Sequence, residues 1–183
     1  MPRLNAIDPQ TATGKAKELL DGVQKKLGLT PNMTRTMANS PAVLEGYLNF
    51  SGALGAGSLN AKLREQLALT VAEANACEYC LSAHTAIGKM VGLQADELAA
   101  SRRATSSDPH VEAALRFARE IVVTRGAVNN EDVNRVRAAG YSEGEIAEII
   151  AHVALNIFTN YFNTVAQTVV DFPKVSLAVA KAA

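Results

Sequence analysis

The sequence predicts an all-α protein, on three observations. Apolar residues recur at intervals of three and four through segments of helix length, turn-forming residues fall between those segments, and the apolar alternation of a half-buried strand is absent. With 183 residues, a single domain over 1–183 is expected, because a chain of this length buries about two thirds of its unfolded surface.

After Pro9, the residues Ala16, Leu19, Leu20, Val23 and Leu27 fall on one helical face, and Gly28 stands where a C-cap is needed. Pro31 suits the first turn of a short helix. Ser40 and Pro41 open another through Val43, Leu44, Tyr47, Leu48 and Leu54, which Gly55 and Gly57 break. Leu59 and Asn60 open the next, with Leu63, Leu67, Thr70, Val71 and Ala74 on its buried side. Small residues are dense from Ala68 to Ala76, so a neighbouring helix can approach closely. Asn75 is expected to end that helix and to cap a following one that runs to Met90 or Val91, where Gly92 stops it. A short helix over 94–103 and a polar loop over 104–109 come next; the loop is too brief for a domain linker. Residues 110–124 are periodic through Val111, Ala114, Leu115, Ala118, Ile121 and Val122, and Gly126 stops them. Asn130 is expected to cap 131–139, with Gly140 after it. Ser142 and Glu145 form a capping box for a last helix over about 143–170.

That last helix carries a polar line on an apolar rod: Glu148, His152, Asn156 and Asn160 repeat every four residues, and Asn163 and Gln167 continue the stripe. Polar groups interrupt it too often for a membrane span. Its apolar sides are expected to bury against neighbouring helices and a second subunit, with part of the stripe approaching the cysteines.

Charge excludes two classes of partner. Lys plus Arg and Asp plus Glu are 18 each, so the formal net charge is zero and nothing draws the chain to nucleic acid or an anionic membrane. The first nine residues hold no apolar run of the signal-peptide kind, which predicts a cytoplasmic protein. In that compartment a disulfide is more often transient and catalytic than structural. A bridge across Cys-x-x-Cys would also close too short a loop to constrain the unfolded chain much.

The chemistry concentrates in 65–84, which hold both cysteines of the protein, Cys77 and Cys80, with His84 four residues on and Glu65 upstream. In a helix, Cys77, Cys80 and His84 stand at i, i+3 and i+7 and share one face. At a helix start, unpaired backbone N–H groups favour an anion, and a thiol there can fall from a pKa of about 8.5 to ~3.5–7.5. Cys80, in register with His84, is the candidate attacking sulfur. Glu65 precedes Cys77 by twelve residues, roughly 18 Å along one continuous helix, too far to act on sulfur. An antiparallel hairpin turning near Asn75 brings Glu65 and His84 nearly level. Glu65 then orients His84, and His84 or a water between takes the proton from Cys80, a contribution on the order of 10²–10⁴ in rate.

Glu65, eleven residues, Cys-x-x-Cys, three residues and His84 resemble the core motif of the AhpD-like alkylhydroperoxidases of the carboxymuconolactone decarboxylase superfamily. The segment Asn156-Ile157-Phe158-Thr159-Asn160-Tyr161-Phe162-Asn163, followed by Val170-Asp171-Phe172-Pro173, resembles the peroxidase-related branch. So do Leu29-Thr30-Pro31-Asn32 and Ala38-Asn39-Ser40-Pro41. The resemblance implies an AhpD-like helical bundle with a central hairpin carrying Glu, CxxC and His, assembled as a homo-oligomer, a trimer or hexamer. It also implies a peroxidase in which Cys80 reduces a hydroperoxide, Cys77 resolves the sulfenic acid to a disulfide, and Glu65 and His84 relay protons. A dithiol reductant, protein or lipoyl-type, restores the thiols, and no organic cofactor or metal is required. The chain departs from the best-studied members at Tyr79, where they place a second histidine; a phenol does not buffer protons near neutral pH.

Other readings of the same residues stand beside this one. Cys77, Cys80, His84 and a carboxylate would complete a tetrahedral zinc set; a disulfide exchanger or redox sensor would use the dithiol without turning over peroxide; two buried thiols three apart would carry no chemistry. The superfamily's lactone decarboxylases generally lack Cys-x-x-Cys. Glu73 competes with Glu65 as the partner carboxylate. His152 is expected to be structural, with a place beside the site as the alternative, and His110, Arg102 and Arg103 are expected at the surface.

Overall fold

The computed structural model of the chain, which describes residues 1–178, bears out the all-helical expectation. Among those residues it has nine α-helices and no strand: α1 (Gly14–Leu27), α2 (Asn32–Met37), α3 (Pro41–Gly55), α4 (Ala61–Ala74), α5 (Glu78–Met90), α6 (Ala95–Arg102), α7 (Pro109–Val123), α8 (Asn130–Ala138) and α9 (Glu143–Ala166). The end of the expected domain, 179–183, lies outside the described residues. Among the described residues no helix is long and apolar enough to cross a membrane.

Helix α4 is the axis. Every residue from Gln66 to Ala72 is buried, so it is enclosed all round, packed by α5, α6, α7 and α9. Ala68 and Ala72 keep the rod narrow enough for that crowding. On one side Leu63, Leu67 and Val71 join Leu115, Val136, Ile149 and Val153 from α7, α8 and α9. On the other, Leu69 and Ala72 meet Cys77, Tyr79, Cys80 and Leu81. Leu20, Met37 and Leu44 of α1 to α3 form a third cluster.

The turn between α4 and α5 departs from expectation. Asn75 is the C-cap of α4, and Cys77, not Asn75, is the N-cap of α5. The Ala76 N–H donates to Glu73 O at 3.1 Å and the Cys77 N–H to Ala72 O at 2.9 Å. That is the paired closure of a Schellman motif, and it puts Ala76 in the left-handed region at φ 51°. One helix therefore ends and the next begins within three residues, with Cys77 serving both.

Three smaller shifts follow from capping chemistry. Pro31, expected in the first turn of α2, is its N-cap. Asn129, with Asp132 in a capping box, starts α8 one residue earlier than expected. Helix α9 stops at Ala166 because Gln167 turns left-handed at φ 51°, after which the chain runs as an irregular strap. Val170, Phe172, Val175 and Leu177 of the strap pack on the cysteine-bearing cluster. The Asp171 carboxylate accepts the Asn32 N–H at 2.7 Å, Ser82 Oγ accepts the Val175 N–H at 3.0 Å, and Glu73 Oε1 accepts the Ala178 N–H at 2.7 Å.

Two glycines mark close approaches. Glu148 of α9 accepts the backbone N–H groups of Ser58 and Leu59 at 2.9 and 3.1 Å, and a Cβ on Gly57 would stand 2.5 Å from its Oε2. In α5, a Cβ on Gly88 would stand 2.7 Å from Leu98 Cδ2, a buried atom of α6. Gly88→Ala therefore gains helix propensity but overpacks the α5–α6 contact. A net loss of about 1–2 kcal/mol is expected in urea unfolding; unchanged or greater stability would show that the contact yields.

Candidate active site

The hairpin gathers the central motif. Glu65 Oε2 lies 2.7 Å from His84 Nδ1, across the α4–α5 contact, with both side chains largely shielded. Cys80, His84 and Glu65 line one cavity of about 430 Å³ among α1, α3, α4, α5 and α9. Both thiols are free, and each residue is 2 % exposed.

The electrostatics distinguish the two thiols. Cys77 is lowered to about 7, chiefly by the hydrogen bond from the Cys80 thiol against the cost of burial, with further help from the Cys80 backbone N–H, Thr164 and the nearby His84. Cys80 is raised well above the ordinary thiol range by the Cys77 sulfur and by burial. The two thiols therefore titrate as a coupled pair, and the N-cap sulfur, at which the free N–H groups of the first turn point, is the one favoured for ionisation. Cys80, not Cys77, faces the cavity. Burial pulls His84 down, but the Glu65 charge and hydrogen bond, with Cys77 beyond, outweigh it and hold the imidazole above its usual value.

Around the sulfurs, the polar stripe of α9 turns inward. Asn163 Nδ2 donates to Cys80 Sγ at 3.3 Å and to Met33 Sδ at 3.1 Å. Asn160 Oδ1 accepts from Asn75 Nδ2 at 3.0 Å, tying α9 to the hairpin turn. His152 and Asn156 line the cavity. His152 is buried, and its Nε2 has no hydrogen-bond partner among the described residues. Burial and then Arg64 lower its pKa, which keeps this imidazole neutral.

Several expected residues go elsewhere. Glu73 bonds Arg102 Nε at 2.8 Å and holds the strap, so it does not serve the sulfurs. Arg102 is correspondingly not solvated: it is largely covered and also donates to Ser176 O at 2.8 Å. His110 is exposed and stacks on Tyr141 with ring centroids 4.0 Å apart. Tyr79, between the cysteines, is buried; its hydroxyl accepts the Met33 N–H at 3.1 Å and its ring meets Phe172 edge-on at 5.9 Å. Burial raises its pKa, so it is a strut for the strap and not a proton carrier. Among the described residues no three His, Cys, Asp or Glu side chains are arranged to hold a metal ion.

The sequence did not single out Tyr47, Arg64 and Phe172 as cavity walls. Burial, then the charge near Cys80, pushes Tyr47 up to about 12. Only Arg64 had a signal, its place beside Glu65, since adjacent helical positions lie 100° apart and can still border one wide cavity.

The family model for the carboxymuconolactone decarboxylase family matches residues 41–120, which contain Glu65, Cys77, Cys80 and His84. No curated protein matches the chain. Among solved structures, an uncharacterized peroxidase-related protein with an alkylhydroperoxidase AhpD core, from Ralstonia eutropha JMP134, superposes with a TM-score of 0.82 at 24% identity, over 93% of this chain and 92% of that one. A peroxidase-related protein from Silicibacter sp. TM1040 gives 0.79 at 22%, over 92% and 94%. A cysteine-to-alanine variant of the debrominase Bmp8, in complex with 2,3,4-tribromopyrrole, gives 0.79 at 21%, over 92% and 91%. These likenesses share the fold, and with the family match they bear out the resemblance read from the sequence.

Proposed function

We propose, for a chain of the AhpD-like carboxymuconolactone decarboxylase superfamily, a dithiol peroxidase that reduces hydrogen peroxide or organic hydroperoxides. The observation that carries this reading is the common cavity of Cys80, His84 and Glu65, with the imidazole and carboxylate 2.7 Å apart.

Attack begins when the proton shared by the two sulfurs moves from Cys80 to Cys77, leaving the thiolate on the sulfur that faces the cavity. Cys80 takes the terminal peroxide oxygen, the O–O bond breaks, and the alkoxide leaves with the proton that His84 supplies. Glu65 stabilises the imidazolium before that step and orients the ring for reprotonation. Cys77 then attacks the Cys80 sulfenic acid, forming the disulfide and releasing water. An external dithiol returns both electrons by exchange. Asn163, donating to Cys80 Sγ, favours the thiolate at the moment of attack.

The test is peroxide-dependent loss of free thiols with stoichiometric disulfide, followed by turnover with a small dithiol. A dithiol that oxidises readily but never turns over peroxide would instead identify a disulfide exchanger, and stoichiometric zinc in reduced protein a structural metal site.

The cavity supports a second reading. At about 430 Å³ it is far larger than hydrogen peroxide requires and is of the size that holds ring-sized organic ligands. Bmp8 is a debrominase; a debromination run reductively here would draw two electrons from the same dithiol, replacing carbon–bromine by carbon–hydrogen and releasing bromide. Bromide release from bromopyrroles, in place of peroxide turnover, would select it.

The homo-oligomer also belongs to this proposal. Ile150, Phe158, Tyr161 and Val165 leave the outer face of α9 apolar and exposed, opposite the stripe that meets the cysteines. A second copy covering that face is expected to give an oligomer by light scattering, and Phe158→Lys with Tyr161→Lys to release the monomer. A parent that is monomeric at micromolar concentration would contradict this.

A further inference from the structure

The proposed chemistry uses Cys80, Cys77, His84 and Glu65, and leaves a second polar group in the cavity unexplained. His152 is 6 % exposed, lines the cavity, and has no partner for Nε2 among the described residues. A buried ring nitrogen without a partner costs stability that a ligand atom would return. Arg64 borders the same cavity, close enough to depress His152. Its guanidinium donates to Leu59 O, and no carboxylate pairs with it among the described residues. Lys26 lies at the same wall, likewise without a carboxylate partner there. The one carboxylate lining the cavity, Glu65, is engaged by His84. The remaining walls are mostly apolar, with Leu27, Leu48, Ile87, Leu155 and Phe172 among them.

Cations without counter-charge, an unpaired neutral imidazole and apolar walls make one chemical demand. We infer that the cavity takes an amphiphilic organic anion, a carboxylate on an apolar body, with the carboxylate held by Arg64 and His152 and the apolar body directed to Cys80. Arg64 supplies charge and a fork of N–H donors; His152 supplies one neutral hydrogen bond that fixes the position of the head group. On the peroxidase reading, on which this inference rests for its substrate, the preferred peroxide is the hydroperoxide of an organic acid, and hydrogen peroxide is a poor competitor because it fills little of the cavity.

The experiment separates recognition from turnover by using ligands with no O–O bond. Binding of octanoate and of octan-1-ol to the full, reduced chain is measured by calorimetry. The carboxylate is expected to bind at least about tenfold tighter, the difference that a charge-assisted hydrogen bond supplies. Arg64→Gln is expected to erase that preference, and His152→Gln to weaken octanoate while leaving octanol unchanged; circular dichroism and thermal unfolding establish that both variants are folded. Equal affinity for acid and alcohol in the parent, absence of binding by either, or a preference that survives in Arg64→Gln would overturn the inference. Because neither ligand reacts with a thiol, failure of peroxide turnover would leave this result standing and would count against the reaction alone.

Discussion

Cys80→Ser is expected to abolish peroxide-dependent turnover, by on the order of 10³-fold or more, because the attacking sulfur and one half of the disulfide go together. Cys77→Ser is expected to behave differently. It retains one attack, stops at the Cys80 sulfenic acid, and gives a single turnover that a sulfenic-acid probe reports. The charge distribution sharpens this contrast. The hydrogen bond from Cys80 is the largest influence lowering Cys77, so Cys80→Ala is expected to move the alkylation midpoint of Cys77 upward. Peroxide consumption by Cys80→Ser at the parent rate would reject Cys80 as the nucleophile, and an unmoved Cys77 midpoint would reject the shared proton.

Removing the relay is the second large effect. His84→Ala is expected to lower kcat/KM by about 10²–10⁴, the ordinary worth of a placed acid–base group. Glu65→Gln acts through His84 and has a signature that mere structural damage would not produce. Burial lowers the imidazole and the Glu65 charge raises it, so with the charge removed burial prevails, and His84 must lose its proton at lower pH than in the parent. Proton NMR of the three histidine rings follows this directly. Loss of that cation also withdraws its support from the Cys77 thiolate, so the dithiol should ionise at higher pH in both variants. A His84 titration unchanged in Glu65→Gln would remove Glu65 from the mechanism even if activity fell.

Much of this site was legible because its geometry is local. Cys77, Cys80 and His84 lie within eight positions of one helix, and the level of Glu65 follows from counting residues on either side of a turn. The stripe Glu148, His152, Asn156, Asn160 and Asn163 was legible as a pattern but not as a set of destinations. Its members separate into a staple for Ser58 and Leu59, a cavity wall, a tie to Asn75 and a donor to Cys80. Which neighbour each meets depends on how α9 packs against α3, α4 and α5, information that no periodicity contains. The same holds for Arg102, whose neighbour Arg103 is exposed while it finds Glu73 only because α6 docks on α4.

On the proposed peroxidase chemistry, the strap has an implication for how a Cys77–Cys80 disulfide would be reduced. Because Phe172 closes over Tyr79, with Asp171 tied to Asn32 before it and Val175 and Ala178 held by Ser82 and Glu73 after it, and both cysteines are 2 % exposed, the strap stands in the way of a folded thioredoxin approaching the sulfurs from that side. A slender dithiol arm entering the cavity would meet Cys80 on its wall. Dihydrolipoamide should therefore reduce the oxidised protein faster than thioredoxin at equal thiol concentration, and trimming the chain before Asp171 should narrow that gap.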